Sequence, residues 1–178
     1  MIETLISSKT RIKLLLKFFL NSKTTAYLRS LETEFGESSN GIRIELNRLE
    51  KAGMLSSESI GNRKYFKANT EHPLFAEIHN ILLKHLGIDQ IVEKVIERLG
   101  EVELVYLTGD FSRGTDSEII DLIFIGKLNK EYLVQLVDKV EKLIHRRIRF
   151  LIFEQPGDKS MEKILKEQEP LLLWSNKI

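Results

Sequence analysis

The hydrophobic period changes near residue 100, and this constrains the fold more than any other feature of the chain. Before that point apolar residues mostly recur at steps of three and four, as in Ile12, Leu15, Leu16 and Phe19. After it they bunch into short runs rich in β-branched residues, such as Ile119–Ile125. The first pattern specifies amphipathic helices and the second buried strands. A chain of 178 residues therefore has to combine a largely helical part with a small α/β part.

The first part resolves into elements. A helix is expected over 10–21, with Ser8 as its cap. A second is expected over 25–35, capped by Thr25 and stopped by Gly36. A third covers 39–52, with Ser38 or Ser39 as cap, Ile42, Leu46 and Leu49 inward, and Gly53 at the exit. Two extended runs, 55–60 and 63–67, flank Gly61-Asn62 and predict a hairpin. Pro73 opens a further helix ending at Gly87, and another runs on to Gly100.

In the second part, strands are expected at 102–107, 119–125 and 148–153. Helices are expected at 130–145 and near 158–168, with a glycine-containing loop over 108–117 and a final apolar stretch at 171–174. The expected class is α+β. Residues 1–70 form an N-terminal winged helix-turn-helix, 71–100 a helical linker or dimerisation segment, and 101–178 a small C-terminal α/β domain.

Charge separates along the same line. Residues 1–70 hold 12 Lys and Arg against 7 Glu and no Asp, leaving +5, whereas the remainder carries 15 against 19, leaving −4. A basic module joined to an acidic one points to a polyanion as the first module's partner. The absence of cysteine removes disulfides, thiolate zinc sites and cysteine nucleophiles. His72, His79, His85 and His145 have no close ligand spacing, so no metal site is expected. No apolar run approaches the roughly 20 residues of a membrane helix, and the first residues lack the features of a secretory signal. The expected compartment is the cytoplasm.

With Ile42, Leu46 and Leu49 inward, the third helix offers Ser39, Asn40, Arg43, Asn47, Arg48 and Lys51 to solvent. A helix of this kind fits the major groove. Arginine can bind guanine O6 and N7 with two bonds, and asparagine can do the same to adenine. The Ser38 and Ser39 hydroxyls stand beside a helix N-terminus that favours phosphate. The hairpin tip, Asn62, Arg63 and Lys64, is basic and placed to meet the DNA backbone or minor groove. Residues 8–69 resemble the winged-helix repressors of the arsenical-resistance type. The resemblance rests on the run Ile42 to Leu55, with its Ala52-Gly53 exit, and on the wing-like Gly61 to Phe66. It implies a homodimer reading inverted repeats in double-stranded DNA. The chain departs from the metal-sensing members in having no cysteine.

The segment Leu107 to Gly126 is similar to the minimal nucleotidyltransferases of the polymerase-beta type. Gly109, Arg113, Gly114 and Asp121 match that family's loop and strand. The resemblance implies a metal-dependent site in which glycine and serine hold a triphosphate and strand aspartates hold two cations. Asp110 stands at the serine position and Ile119 at that of the first metal-binding aspartate. The strand 148–153 carries Arg149 and no carboxylate. One aspartate cannot clamp two cations, so the expectation is a vestigial nucleotide cleft with no catalytic residues, metal or cofactor. Asp121 pairing with Arg149 or Arg113 is the plain structural alternative.

The leading expectation is a dimeric, prokaryotic-type transcriptional regulator. Its C-terminal domain would take a small-molecule or protein effector. The alternatives are an active or vestigial nucleotidyltransferase and an antitoxin-like protein-interaction module.

Overall fold

The computed structural model describes residues 2–99, 101–168 and 170–176. The architecture is α+β with two sheets. The chain divides into two compact units, Met1–His85 and Leu86–Ile178, so the boundary falls inside the segment expected to link the halves. Gly100, expected to end a helix there, lies outside the described residues.

The first unit begins with α1 (Ile2–Leu5) and α2 (Lys9–Leu15), which runs on as a π-helical stretch, Leu16–Leu20. Ser8 caps α2 as expected, its hydroxyl accepting the Arg11 N–H. Next come β1 (Thr25–Tyr27), α3 (Leu28–Phe35), α4 (Ser39–Lys51), β2 (Leu55–Ile60), β3 (Arg63–Ala68) and α5 (Phe75–Leu86). The helix expected over 25–35 is therefore shorter. Thr25–Tyr27 is extended and pairs antiparallel with Tyr65–Lys67 of β3. Ladder bonds to a distant strand override the local helical pattern, and Tyr27 with Ser30 forms the actual helix start. The sheet order is β1-β3-β2. The β2–β3 hairpin turns on Gly61, whose φ of 59° suits a residue without Cβ.

Leu14, Phe18, Phe19, Leu31, Ile42 and Leu46 fill the core of this unit. Phe19 stacks on Phe75 of α5 at 5.4 Å. The helix from Pro73 starts instead at Phe75, and of the apolar residues along this segment Leu82 and Leu86 are buried, while Leu74 and Ile81 stay exposed.

One buried charge orients α4. Glu45 is 6% exposed. Arg11 of α2 donates to it from Nε at 2.8 Å and from Nη2 at 3.3 Å. The Ser8 hydroxyl adds a bond at 3.1 Å, and Arg48 adds one from Nη1 at 3.1 Å. Burial alone would raise the carboxyl's pKa. The bonds from Arg11 and Ser8, with the charges of Arg11 and Arg48, outweigh it and hold the pKa below its ordinary value.

The second unit opens with α6 (Ile88–Ile91), a π-helical stretch Val92–Ile96 and α7 (Glu97–Leu99). It continues as β4 (Val102–Thr108), α8 (Gly109–Ser112), β5 (Ile119–Gly126), α9 (Lys130–Ile144), β6 (Arg147–Phe153), α10 (Lys159–Gln168) and β7 (Leu171–Ser175). The sheet runs β6-β5-β4-β7. β5 and β6 are parallel, joined by the α9 crossover, and the other pairs are antiparallel. β5, the nearly continuous apolar run, is buried from Leu122 onward. Leu133, Leu136, Val137 and Val140 are the buried residues of α9. Met161 of α10 packs with Ile123 and Ile125. The loop expected over 108–117 contains the short α8, and the final apolar stretch is an edge strand on β4.

Glu45→Gln should lower stability by about 1–3 kcal/mol at neutral pH, because charge-assisted bonds are lost around a buried group. The folded-state pKa of Glu45 is depressed, so its contribution is present above about pH 4 and is lost as pH falls through the folded value. Urea unfolding at pH 7 and pH 3 checks this. The gap between variant and parent should be narrower at pH 3 than at pH 7.

Candidate nucleic-acid interface

An α-helix turns about 100° per residue. With Ile42, Leu46 and Leu49 buried, Glu45 and Arg48 fall on one flank of α4, and Arg43, Asn47 and Glu50 on the other. Asn40, Ile44 and Lys51 lie between the flanks, on the outer side. Glu45 binds Arg11, so the first flank faces α2 and is used internally. The second flank meets the hairpin, where Lys64 Nζ donates to Glu50 Oε2 at 2.7 Å and Ser57 also donates to Glu50. These two bonds depress the Glu50 carboxyl from its usual pKa.

A cleft of about 570 Å³ opens between the second flank of α4, the start of α3 and the hairpin tip. Arg29, Arg43, Arg63 and Lys64 bring four cations to its wall, and none of its lining residues is acidic. Asn47 and Asn62 add amide donors and acceptors there. Arg63 is held over the Tyr27 ring at 4.7 Å, and Tyr27 meets Tyr65 edge-on at 5.3 Å. The aromatic pair holds the Arg63 guanidinium by a cation–π contact at the cleft wall.

Of the residues proposed from sequence, Arg43, Asn47, Asn62, Arg63 and Lys64 come together in this cleft. Ser38, Ser39, Asn40, Arg48 and Lys51 do not line it. Ser38 caps α4, its hydroxyl accepting the Gly41 N–H at 3.4 Å. Arg48 is exposed but turned back to Glu45. Tyr27 and Arg29 were not anticipated. They reach the cleft through the β1–β3 pairing, which has no short-range sequence signal.

The residues of the expected nucleotide cleft also gather. Gly109, Asp110, Arg113, Asp121 and Arg149 line a second cleft of about 570 Å³ in the second unit. Gly114, with a φ of 75°, closes the turn after α8. Arg149 donates to Asp121 from Nε at 2.7 Å and from Nη2 at 3.0 Å, the partnership given above as the structural alternative. Asp121 in turn raises the pKa of Arg149. Arg113 donates to Asp110 at 2.8 Å. Each carboxylate is already matched by a guanidinium, and no group of three or more potential metal ligands occurs among the described residues. The donor set does not fit a pair of divalent cations. No helix among the described residues is long and apolar enough to cross a membrane.

No family profile and no curated protein matches the chain. Among solved structures it is similar to the MntA–HepT toxin–antitoxin, at 15% identity over 52% of this chain and 73% of that one, with a TM-score of 0.39. A Shewanella oneidensis complex of tri-AMPylated HEPN toxin with MNT antitoxin matches at 16% identity, over 53% and 74%, with a TM-score of 0.40. A toxin–antitoxin with AMP-PNP matches at 16% identity, over 53% and 76%, with a TM-score of 0.41. Likenesses this distant assign no family, activity or partner to the chain.

Gly109 combines a φ of 68° with close approach to the Asp121 carboxylate, which a Cβ would strike. Gly109→Ala should therefore destabilise the second unit by at least about 1–2 kcal/mol, read as a lowered urea midpoint. An unchanged midpoint would contradict this packing.

Proposed function

We propose that the first unit is a winged-helix reader of double-stranded DNA, with α4 as the helix that enters the major groove and the β2–β3 hairpin as the wing. One observation carries this reading: Arg43 and Asn47 of α4 and Arg63 and Lys64 of the hairpin share one cleft with four cations and no carboxylate in its wall. Phosphates supply most of the affinity of such a surface, and the few side chains at base edges supply the choice of sequence. Lys64 is shared with Glu50, so Arg63 is the stronger phosphate contact of the tip. Exposed Leu74, just before α5, and Ile81 on it support a homodimer reading two half-sites. The second unit serves as a non-catalytic effector or docking domain. Its Asp121 is neutralised by Arg149, and Asp110, the other carboxylate lining that cleft, by Arg113.

Selection of bound sequences from a random duplex pool at two salt concentrations tests the reading. Arg43→Ala should cost about 1–3 kcal/mol on the selected site and relax choice at one base pair. Arg63→Ala should weaken all duplexes alike and reduce the salt slope by about one. Failure to retain any duplex at low salt, or wild-type binding by both variants, contradicts it.

A second reading makes the chain an antitoxin-like module with a nucleotidyltransferase-like second unit. It is favoured by the sequence pattern from Leu107 to Gly126 and by the cleft in which Gly109, Asp110, Arg113 and Asp121 meet. The distant solved structures named above, which are toxin–antitoxin assemblies, stand nearer to this reading than to the first. Co-purification of a small helical partner with no duplex retained at low salt would select it. Mg²⁺- or Mn²⁺-dependent transfer of a labelled nucleotide would show that catalysis survives.

A further inference from the structure

We infer that the free edge of β6 is a docking site for an extended acidic segment of a partner protein, added as a fifth strand. The inference concerns the second unit and does not depend on DNA binding by the first. β6 ends the sheet. The Arg147 N–H donates inward to the Glu118 carbonyl at 2.9 Å, so in this parallel ladder the backbone groups of Ile148, Phe150 and Ile152 face away from β5. The first of these outward amides is covered, because Ile148 N–H donates to Glu141 Oε1 at 2.6 Å. The next two, at Phe150 and Ile152, have no hydrogen-bond partner among the described residues.

The usual protections of a sheet edge are missing from this stretch. Proteins blunt edges with charge, proline, bulges or a covering element. Phe150–Phe153 has no charge and no proline, and the β5–β6 register is unbroken. Arg149, the nearest cation on the strand, is forked to Asp121 over the sheet face. Leu151 is 49% exposed.

A groove of about 770 Å³ runs along this end of the strand, with Leu128, Phe150, Leu151 and Ile152 as its apolar wall. Lys127 and Lys130 border it, both exposed and both without a carboxylate partner among the described residues. Glu154 is the single acid among its lining residues. An extended chain on this edge would gain main-chain bonds from Phe150 and Ile152 and set its acidic side chains against the two lysines. A second copy of this chain would bring the same cations to the same edge and fits less well.

The test pans a phage-displayed library of random dodecapeptides on the full chain, then measures the enriched peptides by fluorescence anisotropy. Acidic sequences with alternating apolar residues should be enriched. Ile152→Pro removes an edge N–H without taking a bond from β5, and should weaken them at least tenfold with circular dichroism unchanged. The K127E/K130E double variant, which alters only exposed side chains, should abolish the preference for acidic over basic peptides. The inference is overturned if no peptide is enriched, if neutral or basic peptides dominate, or if both variants bind as the parent does. Sedimentation showing a dimer that Ile152→Pro dissolves would also overturn it, by making a second copy the occupant. DNA retention, measured on the same variants, should not change.

Discussion

The rotation of α4 depends on one carboxylate held away from water. Glu45 lies beside the apolar stripe of Ile42, Leu46 and Leu49, where an unpaired charge would be costly. Arg11, Ser8 and Arg48 satisfy it from α2, the preceding loop and the next helical turn. The bonds are directional, so they fix which way α4 turns about its axis as well as where it lies. With Glu45 toward α2, Arg43 and Asn47 can only face the hairpin, and the basic cleft follows from that choice. Lys13 with Glu37 and Lys17 with Glu34 tie the α2 segment to the α3 region in a similar way. Such pairs register helices that apolar contacts alone would allow to slide.

The two clefts treat charge in opposite ways. In the first unit the two acids of α4 are paired, Glu45 with Arg11 and Arg48 and Glu50 with Lys64, and Arg29, Arg43 and Arg63 line the cleft with no carboxylate among its lining residues. Mutual repulsion there is tolerated because it is exposed to solvent, and a polyanion would relieve it. In the second unit each aspartate of the cleft is answered by an arginine, Asp121 by Arg149 and Asp110 by Arg113. That cleft carries no excess charge to draw an anion and no open carboxylate pair to hold a cation. This contrast supports the proposal that a polyanion is taken by the first cleft rather than the second.

Much of this was legible in the sequence where the controlling interactions are local. The Ser8 and Ser38 caps, the inward stripe of α4, the Gly61 turn and the buried run of β5 each depend on neighbours a few residues away. Features made by distant pairing were hidden. Thr25–Tyr27 continues a helical pattern in sequence but is a strand, because its partner lies some forty residues downstream. Glu45 reads as one more solvated charge until Arg11, 34 positions earlier, is placed against it. Arg29 and Tyr27 carry no pattern that announces a cleft. The Asp121–Arg149 fork was foreseeable as a candidate because both residues fall on expected strands, and the parallel register then sets them opposite each other.

The proposed function requires duplex DNA to contact the α4 flank and the hairpin tip. Photocrosslinking of the full chain to selected duplexes carrying 5-iodouracil, with the attached peptides mapped by mass spectrometry, tests it most directly. Crosslinks should fall on residues 40–47 and 61–65. Crosslinks confined to the second unit, or to the α1–α2 face of the first, would contradict the account.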